Sequence, residues 1–456
     1  MKILQVVHGF PPHNMGGAEL YAYNLSHELA KRHKVSIFHR INDLHQKDYT
    51  VTRKNFEGLD IFTINNTFRL YSSFRDTYKN NTIAEKFTSV LETTKPDIVH
   101  IQHLLYLGAE LIEEIKKRKI PIVFTLHDYW LFCPQGQLFK DNKENCDRQI
   151  FSECIDCIIH HLSIRRRIFD IYYFSQKILP VSFFQLLKNI YLTYCKFCSP
   201  KNEALNLLNE RLIYIKDICS KVDLFIAPSK FLRSKFVEFG VPEDKIVFLS
   251  YGLNLDRFKD FQKIPSTKLR FAFIANLLPA KGAHILIECF NKIGDENVEL
   301  KIYGRVASCK GKLGNYLNYL KKITKNKNIK FMGGFDNREV AKIFREIDVL
   351  IVPSIWQEVS PIVIMEAFAT KTVVIASDIG GIPESIKDGI NGFLFKPGNI
   401  NDLHKKIDLI IKNPSIIEKI KQNIKFPKNI EENTKEIESL YKNLLINTGG
   451  PVGVAL

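Results

Sequence analysis

The sequence predicts an α/β protein built from two doubly wound parallel-sheet domains facing across a cleft. Three observations lead there. Short, continuous apolar runs alternate with helical patterns almost throughout. Several of those runs end in glycine-containing turns that open a helix. The chain has 456 residues at 45% hydrophobic content, enough for two or three cores. Unbroken apolar runs, rather than period-two alternation, mark strands covered on both faces, and intervening helices make the sheets parallel.

In the first half the expected strands are Ile3–Val7, Val35–Phe38, Ile61–Ile64, Ile98–Ile101, Ile122–Leu126 and Leu224–Ala227. In the second half they are Arg270–Ala275, Glu299–Tyr303, Ile329–Met332, Val349–Val352 and Val373–Ala376. The boundary falls near Tyr251–Phe258, ahead of a polar stretch that runs to Lys268. This gives domains 1–252 and 253–428, a helical tail 429–446 and an expected disordered end, 447–456. Residues 158–221 depart from the alternation. They are helical in pattern, basic at Arg165–Arg167 and aromatic at Phe183–Phe184, and they read as an insertion. Such a stripe suits either a packed core face or an anionic membrane surface.

The formal charge of +16 favours an acidic partner. With no helix-turn-helix, RNA-binding or zinc-finger signature, nucleic acid is not the expected one. The start, Met1–Gly9, turns polar too soon for a signal peptide. No apolar run reaches transmembrane length, so a cytoplasmic protein is expected. Nine cysteines, an odd count, argue against a complete disulfide framework. Cys133, Cys146, Cys154 and Cys157 contain one C-x2-C hook, as structural zinc would want, but the remaining spacing is not that of a ribbon. Free thiols without zinc are the expectation.

The most informative segment is Pro353–Ala367. The apolar run Val349–Val352 leads into it as a buried strand. Ser360 before Pro361 reads as an N-cap followed by the first helical residue. Glu358 then lies on the loop, and Glu366 about one and a half turns into the helix. Free amides at the helix start suit an anion, and two carboxylates suit hydroxyls. The plainer reading is a surface helix with an ordinary cap. Further strand-end loops are Gly16-Gly17-Ala18-Glu19, His127-Asp128, Ala275–Gly282 with Lys281, and Asp378–Glu384. Each reads alone as a tight turn, a satisfied histidine or a solvent lysine. Together they sit where ligands bind open α/β sheets.

Glu358, Glu366, Trp356 and Pro361 together resemble the donor-site signature of the retaining glycosyltransferases of family 4, which have the GT-B fold. The resemblance covers about residues 2–445. It implies that Glu358 meets the sugar, Glu366 the ribose, and the amides of Ser360, Ile362 and Val363 the diphosphate. It places His127 near the donor sugar, Asp128 toward the acceptor, and Gly16 and Gly17 against phosphates or acceptor. Lys281 would neutralise the diphosphate. Many family members have an arginine where this chain has Asn276, and Arg305 is the candidate to supply the missing charge.

The resemblance implies transfer of a sugar, with retention, from a UDP- or GDP-linked donor to a glycan or lipid-linked acceptor in surface polysaccharide assembly. No cofactor is called for, and no D-x-D metal motif flanks the site. The rival from another class is a non-catalytic subunit of the same fold that binds a partner enzyme or membrane, with Asn276 as its support. A sugar-nucleotide epimerase of this fold lacks the motif match.

Overall fold

The computed structural model describes residues 1–13, 16–140, 144–146, 153–155, 157–158, 201–305 and 312–447. The membrane-facing reading of Arg165–Arg167 and Phe183–Phe184 and the tail beyond Asn447 lie outside these residues. The chain forms two compact units. The first comprises Met1–Gly136, Arg148–Gly252 and Ile430–Leu456; the second comprises Gln137–Asp147 and Leu253–Asn429.

Unit 1 is built on β1 (Lys2–Val7), β2 (Lys34–Ile41), β3 (Val51–Phe56), β4 (Leu59–Asn65), β5 (Ile98–Ile101) and β6 (Ile122–Thr125). The chain then makes a short hairpin in unit 2, β7 (Phe139–Lys140) with β8 (Glu144–Asn145), and returns for β9 (Leu224–Ala227) and β10 (Ile246–Phe248). The eight-stranded sheet runs β10-β9-β6-β5-β1-β2-β4-β3. Only the β3–β4 pair is antiparallel. The central strand β1 is buried from Ile3 to Val7, as a strand covered on both faces must be.

The helix Lys201–Ser220 falls inside the expected insertion, which reads as helical in pattern. Ala204, Leu208, Arg211, Ile215 and Ile218 are buried at three- and four-residue spacing, which is one helix face. It delivers the chain to β9.

Unit 2 contains β11 (Leu269–Ile274), β12 (Val298–Tyr303), β13 (Ile329–Gly333), β14 (Val349–Val352), β15 (Val373–Ser377) and β16 (Phe393–Phe395). The six-stranded, all-parallel sheet runs β13-β12-β11-β14-β15-β16. This is the doubly wound order with its reversal between β11 and β14. Two chain segments diverge there, so a crevice opens at their carboxyl ends.

Two glycines bring the crevice loops together. At Gly282, φ is +73° and a Cβ would lie 1.8 Å from the carbonyl oxygen of Pro353. At Gly380, φ is +60° and a Cβ would lie 2.2 Å from the carbonyl oxygen of Glu358. Only glycine permits both the left-handed backbone and the approach. Gly282→Ala is expected to destabilise unit 2 by at least ~2 kcal/mol, because strain and clash add. Urea unfolding monitored by circular dichroism would measure it; an unchanged midpoint would show that the two loops are not locked.

Candidate active site

In unit 2 the loops after β11 and β14 emerge side by side at the reversal. Lys281 closes the 3-10 turn Pro279–Lys281 on the first loop. Glu358 lies on the second. Lys281 Nζ meets Glu358 Oε1 at 2.7 Å, and Ser354 Oγ donates to the same oxygen at 2.6 Å. Glu358 is buried, while the lysine side chain keeps a quarter of its surface exposed. The ammonium also sits 4.9 Å from the centroid of the Trp356 ring, whose buried Nε1 has no hydrogen-bond partner. The loop Asp378–Glu384 braces the pair from below, with Gly381 N donating to Glu358 O at 2.7 Å.

The helix following β14 spans Ile362–Ala369, with Pro361 as its N-cap residue and no side-chain cap. The reading of Ser360 as the cap with Pro361 helical is therefore corrected by one residue. Pro361 has ψ of 115°, an extended value, and the residue before a proline is itself biased away from helix. The shift leaves Ile362 and Val363 in the first turn, where amides have no intrahelical acceptor. Glu366 comes just over one turn in. It is buried, its Oε1 lacks a hydrogen-bond partner, and Arg257 Nη1 stands 3.9 Å away. Burial pushes this carboxyl up to about 7 against the opposing pull of Arg257 and Asn337.

Arg305 is exposed and donates to the Phe335 carbonyl at 3.0 Å. Its own carbonyl accepts from Leu277 N at 3.0 Å, which places it beside the Asn276 loop. The hairpin of β7 and β8 also reaches this region: Asn145 Nδ2 donates to Ile355 O at 2.7 Å.

In unit 1 the reversal falls between β1 and β5, and histidines just beyond those strands meet. The rings of His8 and His103 lie 4.5 Å apart between centroids. His8 Nε2 contacts Glu19 Oε1 at 3.1 Å, and His103 Nε2 contacts Asp128 Oδ2 at 3.0 Å. Leu105 N donates to His103 Nδ1, so the remaining ring proton sits on Nε2 and points to Asp128. Trp130 N donates to the other oxygen, Oδ1, at 2.8 Å. Burial works to raise Glu19, but its hydrogen bond and charge contact with His8 hold it below the ordinary value. Gly16 is the extended residue before the helix Gly17–Ala30, and a Cβ on it would come 2.5 Å from the Glu19 carboxylate.

His127 is half-buried with both ring nitrogens engaged, by Tyr251 OH at 2.6 Å and Gln102 Oε1 at 2.8 Å. Burial, and then the neighbouring His103, His8 and His100, hold it well below its ordinary value, so the ring is neutral. Among the described residues no group of three or more His, Cys, Asp or Glu side chains is arranged to hold a metal. Among the described residues, Cys133, Cys146, Cys154 and Cys157 are not joined in disulfides.

Residues 255–436 match the family described as Glycosyl transferases group 1, and residues 15–161 match Glycosyltransferase Family 4. The chain belongs to the family 4 glycosyltransferases. This glycosyltransferase is 22% identical over 397 residues to an uncharacterized 42.6 kDa protein in the cps region of Klebsiella pneumoniae, covering 84% of this chain and 87% of that one. It is 25% identical over 231 residues to the D-inositol 3-phosphate glycosyltransferase of Corynebacterium aurimucosum, covering 47% of this chain and 53% of that one. The chain thus spans about half the length of that relative. Among solved structures, Anabaena HepE in complex with UDP and glucose superposes with a TM-score of 0.64 at 16% identity, covering 97% and 99% of the two chains. Sucrose-phosphate synthase from Thermosynechococcus elongatus gives 0.67 at 16% identity, covering 98% and 99%. These likenesses establish the GT-B fold of the glycosyltransferase.

The sequence reading of this glycosyltransferase missed Arg257, Asn337 and Ser354 in unit 2, and His8, Glu19, Gln102 and His103 in unit 1. For His8 and His103 a signal was present: each closely follows an apolar strand. Arg257 lies in the linker stretch and carried none.

Proposed function

We propose that the enzyme moves a sugar, with retention of anomeric configuration, from a UDP- or GDP-linked donor held by unit 2 to an acceptor hydroxyl presented to unit 1. The observation that carries this is the Lys281–Glu358 pair at the β11/β14 reversal, ahead of the uncapped helix Ile362–Ala369. The bond between the anomeric carbon and the leaving phosphate oxygen breaks. The acceptor oxygen attacks from the same face, and its proton passes to the departing diphosphate. Lys281 and the amides of Ile362 and Val363 stabilise that diphosphate. Glu358 orients Lys281 and accepts from the sugar's hydroxyls. Glu366 accepts from the ribose. Arg305 adds charge beside Asn276. With these cations and amides in place, transfer needs no divalent metal, and EDTA should leave the rate unchanged.

On the acceptor side, Asp128 is fixed by His103 and Trp130 as an acceptor of hydrogen bonds. The Glu19 carboxylate beside Gly16 suits a hydroxyl better than a phosphate at that turn. The relative in a cps region supports surface polysaccharide assembly, with a glycan or lipid-linked acceptor. Among the described residues no helix is long and apolar enough to cross a membrane. The intact Lys281–Glu358 pair argues against a non-catalytic subunit. The test is a screen of nucleotide-sugars for slow donor hydrolysis by the purified protein. No hydrolysis of any donor would overturn the catalytic reading.

His127→Ala should lower transfer about 10–100-fold while nucleotide affinity holds, since its ring belongs to unit 1. Product formation and nucleotide binding, measured separately, decide it. Equal loss of both, with a lowered melting temperature, would leave His127 a structural residue.

A further inference from the structure

Unit 1 holds a second concave site, a groove of about 820 Å³. It lies between the turn Phe74–Thr77, the start of the helix Asn81–Thr94 and the helix Lys201–Ser220. Small-molecule sites typically enclose about 300–1,000 Å³. Tyr49 and Tyr214 supply aromatic surface, while the Tyr78 ring is buried beneath it. The charged groups balance: Arg75 and Lys79 against Asp76 and Glu210. Arg75 Nη2 holds Glu210 Oε2 at 2.6 Å, and Asp76 accepts from the amide of Ser73 at 2.9 Å. A neutral lining that mixes donors, acceptors and rings does not select a diphosphate. It suits a sugar ring, whose hydroxyls both donate and accept and whose C–H faces pack on aromatic surface.

One buried polar group lining this groove is unpartnered. The Tyr214 hydroxyl has no hydrogen-bond partner. Buried polar groups are normally satisfied, so exceptions at a concave surface point to a ligand. The groove is also tied to the acceptor loop. Arg211, next to Glu210, is buried and donates to the carbonyl oxygens of Trp130 and Leu131. Its guanidinium lies 5.7 Å from the Tyr78 ring and 5.5 Å from the Trp130 ring.

We propose that this groove is a carbohydrate subsite that binds a sugar unit of the acceptor glycan other than the one receiving the transferred residue. The assignment rests on the acceptor role of unit 1 given above. The test uses the whole protein and five tetrasaccharides, built from glucose, galactose, mannose, N-acetylglucosamine and rhamnose. Saturation-transfer NMR and calorimetry read their binding. At least one should bind at millimolar concentration or below. Arg75→Ala and Tyr214→Ala should each weaken it about tenfold, with donor hydrolysis and melting temperature unchanged. No binding of any of the five at about 10 mM, or equal binding by both variants, overturns the subsite. If Tyr214→Ala lowers the melting temperature, Arg75→Ala, an exposed side chain, decides alone. Failure of donor hydrolysis in the wild type would instead strike the glycosyl-transfer mechanism, and the binding assay would still read the groove.

Discussion

Glu358→Gln is expected to reduce donor hydrolysis and transfer by about 10²–10³-fold, the usual cost of one misplaced electrostatic group at a reacting centre. The amide keeps the size of the side chain and can still accept from Ser354. It loses the charge that holds Lys281 at 2.7 Å. Breaking a buried ion pair commonly costs about 3–5 kcal/mol of stability. Here the lysine retains a quarter of its surface and can turn to water, so the effect on folding should be much smaller than the effect on rate. Turnover and thermal melting on the same preparation separate the two. Wild-type turnover would remove Glu358 from the site. A collapsed melting temperature would make it a structural residue.

Glu366→Gln should weaken donor binding and, in the same molecule, stabilise the free protein above neutral pH. The carboxyl stands at about 7 in the folded state against 4.5 in the unfolded chain. Between those values the folded state binds more protons. The stabilising contribution is therefore complete below the unfolded value and is lost as pH rises through the folded one. The loss amounts to roughly 3 kcal/mol by the alkaline side of the transition. A neutral amide does not carry that liability, so the variant's melting temperature should fall less between pH 5 and pH 8. Donor binding should show the converse. A ribose hydroxyl donates to the ionised carboxylate, so wild-type affinity for a nucleotide-sugar should rise through pH 7. Both of its phosphates are esterified and do not titrate there. Parallel pH profiles for the two proteins, in melting or in binding, would reject this account.

The strands most legible in the sequence were those with one unbroken apolar run. The run at β14, Val349–Val352, coincides with the strand because both its faces are covered. β3 was missed because Val51–Phe56 is an edge strand with a polar centre, Thr52 to Asn55, which needs no apolar signature. β16 has three residues, too short for any period. Within the site, the residue types at strand ends were readable, but their pairing was not. Lys281 and Glu358 are separated by 77 positions, and only the strand order sets their loops side by side. The same holds for His8 and His103. A shared crevice is a property of the sheet, and no local pattern encodes it.

The helix Ile430–Asn447 closes unit 1 after the whole of Leu253–Asn429 has intervened. Its Tyr441 hydroxyl engages His100, 341 positions earlier, and its Asn433 accepts from Tyr21. On a ribosome, the first unit to begin synthesis is therefore the last to be completed. Its amino-terminal sheet must wait with an uncovered face while the second unit, continuous in chain apart from one small hairpin, has all it needs to fold. A chaperone that shields apolar surface during synthesis would act on the earlier unit, and a circular permutant opening near residue 430 would let that unit close first.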